Sequence, residues 1–348
     1  MARRLLIAML VLLLAGAGAR AAPFIPSAPY YGPYQWYGPV LNLPDAWGFS
    51  LGSSQVIVAV LDTGVMADTP DLAGRLLPPL SATGSGPLDG TTHHHGTWVA
   101  SVVGMTVSNG IGGAGVGNFS ILPITVTDAQ GRNTPEWLAT GIRMAADAGA
   151  RVINVSHSTT NYTLLDAAAA YARTQGALVF VAGGNSDACN AMTGYDNLIF
   201  VSGTDRKDAR WHEVVDATTT PPKTIGSSWG PYIDLAAPGD DILIADLLLA
   251  PSGYGIHHGT SFASPLAAGA AAMAWSIMPN LTADQVLDLL YDTAVDLGPV
   301  GRDDVFGHGR VDVGAVAAAA RALVPEPATL ALAAGGLAAL VIRRRRRP

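Results

Sequence analysis

The chain has 348 residues, of which 49% are hydrophobic and 14% are charged, so it can bury a sizeable core and is not intrinsically disordered. Its formal net charge is −7, but eight of its 20 basic residues lie at the two ends, and the remaining 12 stand against 27 acidic residues. Such an acidic body repels phosphate backbones, and it has no internal basic cluster, which argues against nucleic-acid binding.

The N-terminal segment is typical of a secretory signal peptide. Two arginines precede an apolar run at residues 5–14, which is too short to span a bilayer. Small residues follow, with alanine three and one positions before a cleavage point at Ala22. We therefore expect a signal peptidase to remove residues 1–21 and leave a short lead at 22–40. A membrane anchor or a buried helix is the alternative.

The body of the chain, residues 41–323, alternates short apolar runs with stretches rich in small residues. The runs predict strands buried on both faces at 56–61, 121–126, 152–155, 177–182 and 198–202. The stretches between and after them predict helices at 135–148, 164–175, 264–278, 283–294 and 313–323. This alternation predicts an α/β fold of three layers, with a mostly parallel central sheet between two layers of helices. Ligands gather at the carboxyl ends of the strands in such sheets.

Polar residues at these strand ends and in later loops follow the order aspartate, histidine, serine. Asp62 directly follows the first predicted strand, His95 follows a loop rich in glycine and serine, and Ser261 precedes an alanine-rich helix. A serine hydroxyl needs an imidazole to accept its proton, and the imidazole needs a carboxylate to fix its tautomer. The three residues together predict a nucleophilic triad, whereas Asp62 alone would more often form a turn or cap a helix.

Two features predict donors for a tetrahedral oxyanion. Asn185 follows the strand at 177–182 through two glycines, and its side-chain amide can donate. Ser261 lies at a predicted helix N-terminus, where free N–H groups and the positive end of the helix dipole favour negative charge. No Gly-x-Ser-x-Gly elbow surrounds Ser261, which argues against an esterase.

The sequence around these residues resembles the motifs of subtilisin-like serine peptidases, the subtilases, and the order of aspartate, histidine and serine is the one that this family uses. The resemblance covers roughly residues 34–323. It rests on four blocks: Asp62-Thr63-Gly64, His95-Gly96-Thr97, Ala182-Gly183-Gly184-Asn185 and Gly259-Thr260-Ser261.

The resemblance implies an endopeptidase that cleaves protein or peptide substrates through an acyl-enzyme. By this resemblance Ser261 is the nucleophile and His95 is the general base. Asp62 is the carboxylate that orients the imidazole, and Asn185 is the oxyanion donor. The resemblance also implies that Val155, Ser156 and His157 line the substrate groove. The family's usual Ser-Leu-Gly is here Ser156-His157-Ser158, so specificity cannot be carried over. A catalytically impaired surface binding protein is the alternative function.

No cofactor is expected for the chemistry, but the resemblance implies a structural calcium ion. Its ligands would be Asp71, Asn109 and Gln35, whose oxygen donors suit calcium. Asp71 could equally be a turn residue. Three histidines in a row, at 93–95, could suggest a zinc site at His93 and His94, but adjacent side chains point in different directions and cannot readily share one ion.

The C-terminal segment, residues 324–348, resembles a PEP-CTERM sorting signal. A Pro-Glu-Pro sequence leads into an apolar segment at 328–342, which five arginines close. The resemblance implies that an exosortase-type enzyme removes the tail and that the protein reaches the cell surface or the extracellular matrix of a Gram-negative bacterium. Before this processing, the apolar segment would contact the membrane as a transmembrane helix. An ordinary single-pass anchor is the alternative.

Overall fold

The structure is a computed structural model that describes residues 21–219, 221–249 and 252–324. The predicted signal peptide at 1–21 and the predicted sorting signal at 324–348 lie almost wholly outside these residues, as does the apolar segment expected to contact the membrane. Within the described ranges, no helix is long and apolar enough to span a bilayer.

The elements found in the described residues include every strand and helix that the sequence predicts. The strands are β1 Ile57–Asp62, β2 Leu80–Ser81, β3 Ser120–Thr125, β4 Val152–Val155, β5 Leu178–Ala182, β6 Leu198–Thr204, β7 His212–Asp216, β8 Lys223–Gly226, β9 Ile233–Pro238, β10 Ile242–Ala245 and β11 Tyr254–His257. The helices are α1 Tyr31–Tyr34, α2 Tyr37–Val40, α3 Leu43–Phe49, α4 His95–Gly104, α5 Pro135–Asp147, α6 Tyr162–Thr174, α7 Thr260–Ile277, α8 Ala283–Asp292 and α9 Val313–Ala322. The largest displacement from a predicted end is at α7, which begins at Thr260 rather than at residue 264.

Seven strands form one sheet in the order β2-β3-β1-β4-β5-β6-β9, and all its pairings are parallel. The pairs β7–β8 and β10–β11 are antiparallel and separate from it. Strand β1 lies between β3 on one side and β4 on the other, so the order of the strands in the sheet reverses direction at β1. Such a switch point opens a crevice at the carboxyl ends of the strands, and Asp62 is the last residue of β1.

The two faces of the sheet belong to two apolar clusters because successive side chains of a strand point in opposite directions. Val58 and Val60 of β1 pack in the cluster that contains residues of α4, α7 and α9. Ala59 and Leu61 pack in the other cluster, with residues of α5 and α6. The predicted α/β fold with helices on both faces of a parallel sheet is therefore confirmed.

Helix α7 is the central helix of the first cluster. Most of its 18 residues are buried, and alanine and glycine dominate its sequence. A Cβ atom at Gly269 would lie 2.6 Å from the side chain of Val116, so the small residue allows a close approach there. A helix that is apolar all round is a core helix, and this burial fixes the position of its N-terminal residues, including Ser261.

Candidate active site

Three elements bring the predicted triad to the carboxyl edge of the sheet. Asp62 ends β1, His95 is the first residue of α4, and Ser261 is the second residue of α7. Asn185 follows three residues after the end of β5. The residues singled out from the sequence thus meet at one edge although they are far apart along the chain.

Asp62 and His95 form a tight hydrogen-bonded pair. His95 Nδ1 lies 2.9 Å from Oδ1 and 3.0 Å from Oδ2 of the Asp62 carboxylate. The backbone N–H of Thr63 also donates to Oδ1, at 2.8 Å. The carboxylate is 1% exposed, so these donors replace the water that it has lost.

The electrostatics of this pair hold Asp62 charged and favour a protonated His95. Burial raises the pKa of Asp62, but the neighbouring imidazoles of His95 and His157 outweigh it and hold that pKa well below its usual range. Burial lowers the pKa of His95, but the charge and hydrogen bonds of Asp62 prevail and raise it above its ordinary value. The carboxylate is therefore suited to stabilise an imidazolium.

A second imidazole approaches the same carboxylate. His157, two residues beyond the end of β4, places its Nε2 atom 3.2 Å from Asp62 Oδ1. Its side chain is 13% exposed, and its ring centroid lies 5.5 Å from that of His95. The sequence predicts His157 in the substrate groove, but it does not predict this contact.

A buried hydrogen-bond network joins α7 to the end of β4. Pro265 has no N–H group, so the carbonyl of Ser261 lacks its helical partner four residues later. The Ser156 hydroxyl donates to that carbonyl at 2.8 Å. Asn154 donates to Ser156 Oγ at 2.9 Å and accepts a hydrogen bond from Ser264 at 2.7 Å. The nucleophile candidate is therefore held by side chains from both elements.

The side chain of Ser261 contacts the residue that follows β4. Its hydroxyl donates to the Ser156 carbonyl at 3.4 Å, and within the described part of the chain no hydrogen bond joins it to His95. The ring of the next residue, Phe262, lies 6.2 Å from the His95 ring, so the start of α7 packs beside the imidazole. Such catalytic hydrogen bonds are often long before substrate binds.

Asn185 is oriented by the residue before the serine. Its Oδ1 accepts from the backbone N–H of Thr260 at 2.9 Å and from the Thr260 hydroxyl at 2.8 Å. The hydroxyl in turn accepts from the N–H of Gly184 at 3.0 Å. Because a backbone N–H can only donate, the oxygen of the amide must face Thr260, which leaves the NH₂ group of Asn185 as a donor.

Of the three predicted groove residues, one has a side chain that is wholly in the core. The Val155 side chain is fully buried in the cluster beneath α5 and α6, so it cannot touch a substrate in the groove. Ser156 is 5% exposed and is occupied in the network around Ser261. His157 is the most exposed of the three, and it is the residue that departs from the family's usual sequence.

A second aspartate–histidine pair lies beside the site, and sequence reasoning missed its acidic member. Asp246, 1% exposed, accepts hydrogen bonds from His94 Nδ1 at 2.8 Å and from Trp98 Nε1 at 2.7 Å. The Trp98 ring stacks on His257 at 4.3 Å between centroids. Asp246 directly follows the apolar strand β10, and this position is the signal that could have identified it. His94 and the adjacent His95 thus turn to different carboxylates.

The residues expected to hold calcium already bind one another or the backbone. The Asp71 carboxylate accepts from Asn109 Nδ2 at 2.7 Å, from the Tyr254 hydroxyl at 2.8 Å and from a backbone N–H. Asn109 Oδ1 accepts from the N–H two residues later, so its NH₂ group faces Asp71. Gln35 binds the backbone of Ala114 in both directions. As arranged, these residues do not fit a cation, and the calcium site stays a prediction.

Comparison with known families and proteins agrees with this geometry. Residues 53–309 match the model of the subtilase family, and residues 323–347 match the PEP-CTERM protein-sorting motif. The halolysin-like extracellular serine protease Nep of Natrialba magadii is 33% identical over 300 residues, which are 83% of this chain and 52% of that protein. Thermitase of Thermoactinomyces vulgaris is 34% identical over 255 residues, which are 72% of this chain and 85% of that protein. The chain thus spans only about half the length of Nep.

Two solved structures share the fold. A protease structure from Pseudoalteromonas arctica superposes with a TM-score of 0.69 and 27% identity, covering 85% of this chain and 99% of the other. A lanthipeptide protease superposes with a TM-score of 0.68 and covers 85% of this chain and 98% of the other. Its identity is 22%, so this second likeness shows the fold alone.

Proposed function

The chain belongs to the subtilase family, and from this membership we propose that it is an exported serine endopeptidase that hydrolyses peptide bonds through an acyl-enzyme. The observation that carries the proposal is the hydrogen-bonded pair of Asp62 and His95 beside Ser261. Asp62 holds the proton of His95 on Nδ1, which leaves Nε2 with a lone pair to act as a base.

In the first half of the reaction, His95 Nε2 removes the proton from the Ser261 hydroxyl while Oγ attacks the scissile carbonyl carbon. Asp62 stabilises the imidazolium that forms. The tetrahedral oxyanion receives hydrogen bonds from the NH₂ group of Asn185 and from the backbone N–H of Ser261 at the start of α7. Collapse of this intermediate breaks the C–N bond, and His95 returns the proton to the leaving amine.

In the second half, water replaces the amine. His95 Nε2 takes a proton from the water as it attacks the acyl carbon, and the same donors bind the second oxyanion. Collapse releases the carboxylic acid product and returns the proton to Ser261. Every proton thus moves through His95, and no cofactor enters the chemistry.

The sorting motif supports an extracytoplasmic setting. Residues 323–347 match it, and Nep is named an extracellular protease. We propose that a signal peptidase removes residues 1–21, that an exosortase-type enzyme processes the tail, and that the enzyme acts on protein or peptide substrates at the surface of a Gram-negative cell. The membrane contact of the tail before processing belongs to the same proposal.

Two observations favour the alternative of an impaired binding protein. The Ser261 hydroxyl donates to Ser156 rather than to His95, and His157 crowds the site beside Asp62. A protein locked in this arrangement keeps the fold and the groove but lacks an activated nucleophile. Its substrate groove would then serve only to bind extended peptides.

A fluorophosphonate probe separates the two functions because it labels only a serine that a neighbouring base activates. We expect the mature protein to be labelled and the Ser261→Ala variant to remain unlabelled, while both bind the same peptides. Absence of labelling in the wild type, or labelling that persists in Ser261→Ala, would contradict the peptidase proposal. Cleavage of a peptide library by the wild type then defines the specificity.

A further inference from the structure

The three side chains at the base of the site form a cluster of metal-ligand type. Asp62, His95 and His157 each offer one ligand atom, and these atoms all lie within 4.8 Å of one another. His95 Nδ1 is 2.9 Å and His157 Nε2 is 3.2 Å from the same oxygen, Asp62 Oδ1. We propose that this cluster is a binding site for a Zn²⁺ ion, and that the ion inhibits the peptidase.

The spacing suits the ion. A tetrahedral zinc ion with bonds of about 2.0–2.1 Å holds neighbouring ligand atoms about 3.3–3.4 Å apart. The two distances to Asp62 Oδ1, 2.9 and 3.2 Å, are close to this spacing, and all three ligand atoms lie within 4.8 Å of one another, so the two rings must shift to close on the ion. Two imidazole nitrogens and one carboxylate oxygen are ligands that zinc commonly takes. The His95 and His157 side chains are 28% and 13% exposed, so the ion can enter from the groove and keep a water molecule as its fourth ligand.

The state of His157 is an independent reason to expect a ligand here. Its Nε2 atom is buried and lies 3.2 Å from Asp62 Oδ1, a distance for an ion pair, but without the alignment of a hydrogen bond. A buried nitrogen without an aligned hydrogen bond costs free energy, and a bond to a metal ion removes that cost.

The chemistry of His95 links binding to inhibition, and this step rests on the proposed peptidase function. A zinc ion on Nδ1 uses the nitrogen that otherwise carries the proton toward Asp62. The neutral imidazole then carries its proton on Nε2, the atom that must accept the proton of Ser261. Zinc therefore removes the base without touching the serine, and a chelator restores it.

Binding is tested apart from activity in the Ser261→Ala protein, full length and folded. Calorimetry with ZnCl₂ should show one site per chain, and Co²⁺ should give the visible absorption of tetrahedral coordination. The added change His157→Leu removes one ligand and should weaken binding by at least about tenfold. The matched change His93→Leu removes a neighbouring imidazole outside the cluster and should leave binding unchanged. Equal binding by the His157→Leu protein overturns the proposal.

Inhibition is tested in the active enzyme, with each variant compared with its own rate in the absence of zinc. We expect zinc to inhibit the wild type reversibly, a chelator to restore the rate, and His157→Leu to need at least about tenfold more zinc. Inhibition that is unchanged in His157→Leu overturns the proposal.

Two further arms keep the test decisive. His157→Gln, which keeps a polar side chain of similar length, replaces His157→Leu if circular dichroism shows that the leucine variant is unfolded. If the wild type has no peptidase activity, calorimetry still decides whether the metal site exists, so the two proposals fail separately.

Discussion

The hydroxyl of Ser156 donates a 2.8 Å hydrogen bond to the backbone carbonyl of Ser261, the carbonyl that Pro265 leaves without a helical partner. The end of β4 thereby completes the first turn of α7. The groove and the nucleophile are one hydrogen-bonded unit, so a change at Ser156 reaches the reacting serine without touching the triad.

We predict that Ser156→Ala lowers both the stability and the turnover of the enzyme, since it leaves a part-buried carbonyl without a donor, at a cost of about 1–3 kcal/mol. Urea unfolding and peptide hydrolysis measure the two effects. The exposed neighbour Ser158→Ala is the control and should change little. The loss should shrink in a Pro265→Ala background, where the new N–H can pair with the Ser261 carbonyl. Equal losses in both backgrounds would contradict this account.

In the proposed mechanism the amide of Asn185 binds the oxyanion and not the ground-state carbonyl, so Asn185→Ala should lower kcat by about 10²–10³ with a smaller change in KM. This magnitude is one measured for an oxyanion asparagine in this same family. Steady-state kinetics on one peptide substrate test it. A change confined to KM would remove Asn185 from the oxyanion hole.

Thr260 should act through Asn185, because its hydroxyl and N–H hold the amide oxygen. We predict that Thr260→Val lowers kcat by about fivefold, the worth of one hydrogen bond of about 1 kcal/mol, and that Thr260→Ser restores it. In an Asn185→Ala background, Thr260→Val should have little further effect on kcat. Additive effects would show that Thr260 acts by another route.

The pH profile should report the Asp62–His95 pair. His95 must be neutral to accept the serine proton, and Asp62 raises the pKa of His95, so the acid limb of kcat/KM should lie above the ordinary value of about 6.5. Asp62→Asn should shift this limb to lower pH and reduce kcat by about 10⁴. Asp246→Asn, which alters the adjacent pair with His94, should leave the limb in place. An acid optimum in the wild type would refute the role of His95.

The sequence predicts most of the sheet because parallel strands buried on both faces are continuous apolar runs. It misses β7, β8 and β11, which include exposed residues such as Val214 and Ile256 and have no clear period. It also misses β10, although the four residues of that strand are apolar and buried. The sequence places the start of α7 too late, because a proline at 265 is typical of the first turn of a helix. The hydroxyl that compensates for this proline belongs to Ser156, which follows a strand far away in the sequence.

The position of Asp62, His95 and Ser261 at one edge of the sheet was predictable because residue type, strand ends and chain order all indicate the same chemistry, and their catalytic roles stay a prediction. The contact of His157 with Asp62 depends on strand register: Leu61 pairs with Val155, so the end of β1 at Asp62 lies beside the residues that follow β4. Only knowledge of that pairing and of the ring's orientation reveals it. The surroundings of Asp71 could not be predicted either. The family resemblance implies that Asp71 is a metal ligand, but the fold places the hydrogen-bond donors Asn109 and Tyr254 beside it.

Calcium removal is a direct test of that last point. Asp71 already accepts three hydrogen bonds, and burial raises its pKa, so we expect a chelator to leave the thermal midpoint unchanged. Differential scanning calorimetry with and without chelator measures it. Tyr254→Phe, which removes one donor, should lower the midpoint to the same extent in both conditions. A thermal midpoint that falls when the chelator is added would support a calcium site at Asp71 and Asn109.

Asp234 should make stability depend on pH outside the active site. Burial raises its pKa to about 7, so the folded protein binds a proton there that the unfolded chain binds only near pH 4. The stability from this group is therefore present at acid pH and is lost as pH rises through 7. Asp234→Asn keeps the acceptor for the Phe200 N–H, which lies 2.9 Å away, and removes the charge.

We therefore expect Asp234→Asn to raise the thermal midpoint at pH 8 by a few degrees and to have little effect at pH 5, where the wild-type carboxyl is already neutral. Asp68→Asn removes a carboxylate from an exposed position and is the matched control, with no such difference between the two pH values. Melting curves of the Ser261→Ala protein avoid self-cleavage during heating. A midpoint at pH 8 that falls in Asp234→Asn would mean that the ionised carboxylate stabilises the fold through Arg302, 3.9 Å away, more than its burial costs.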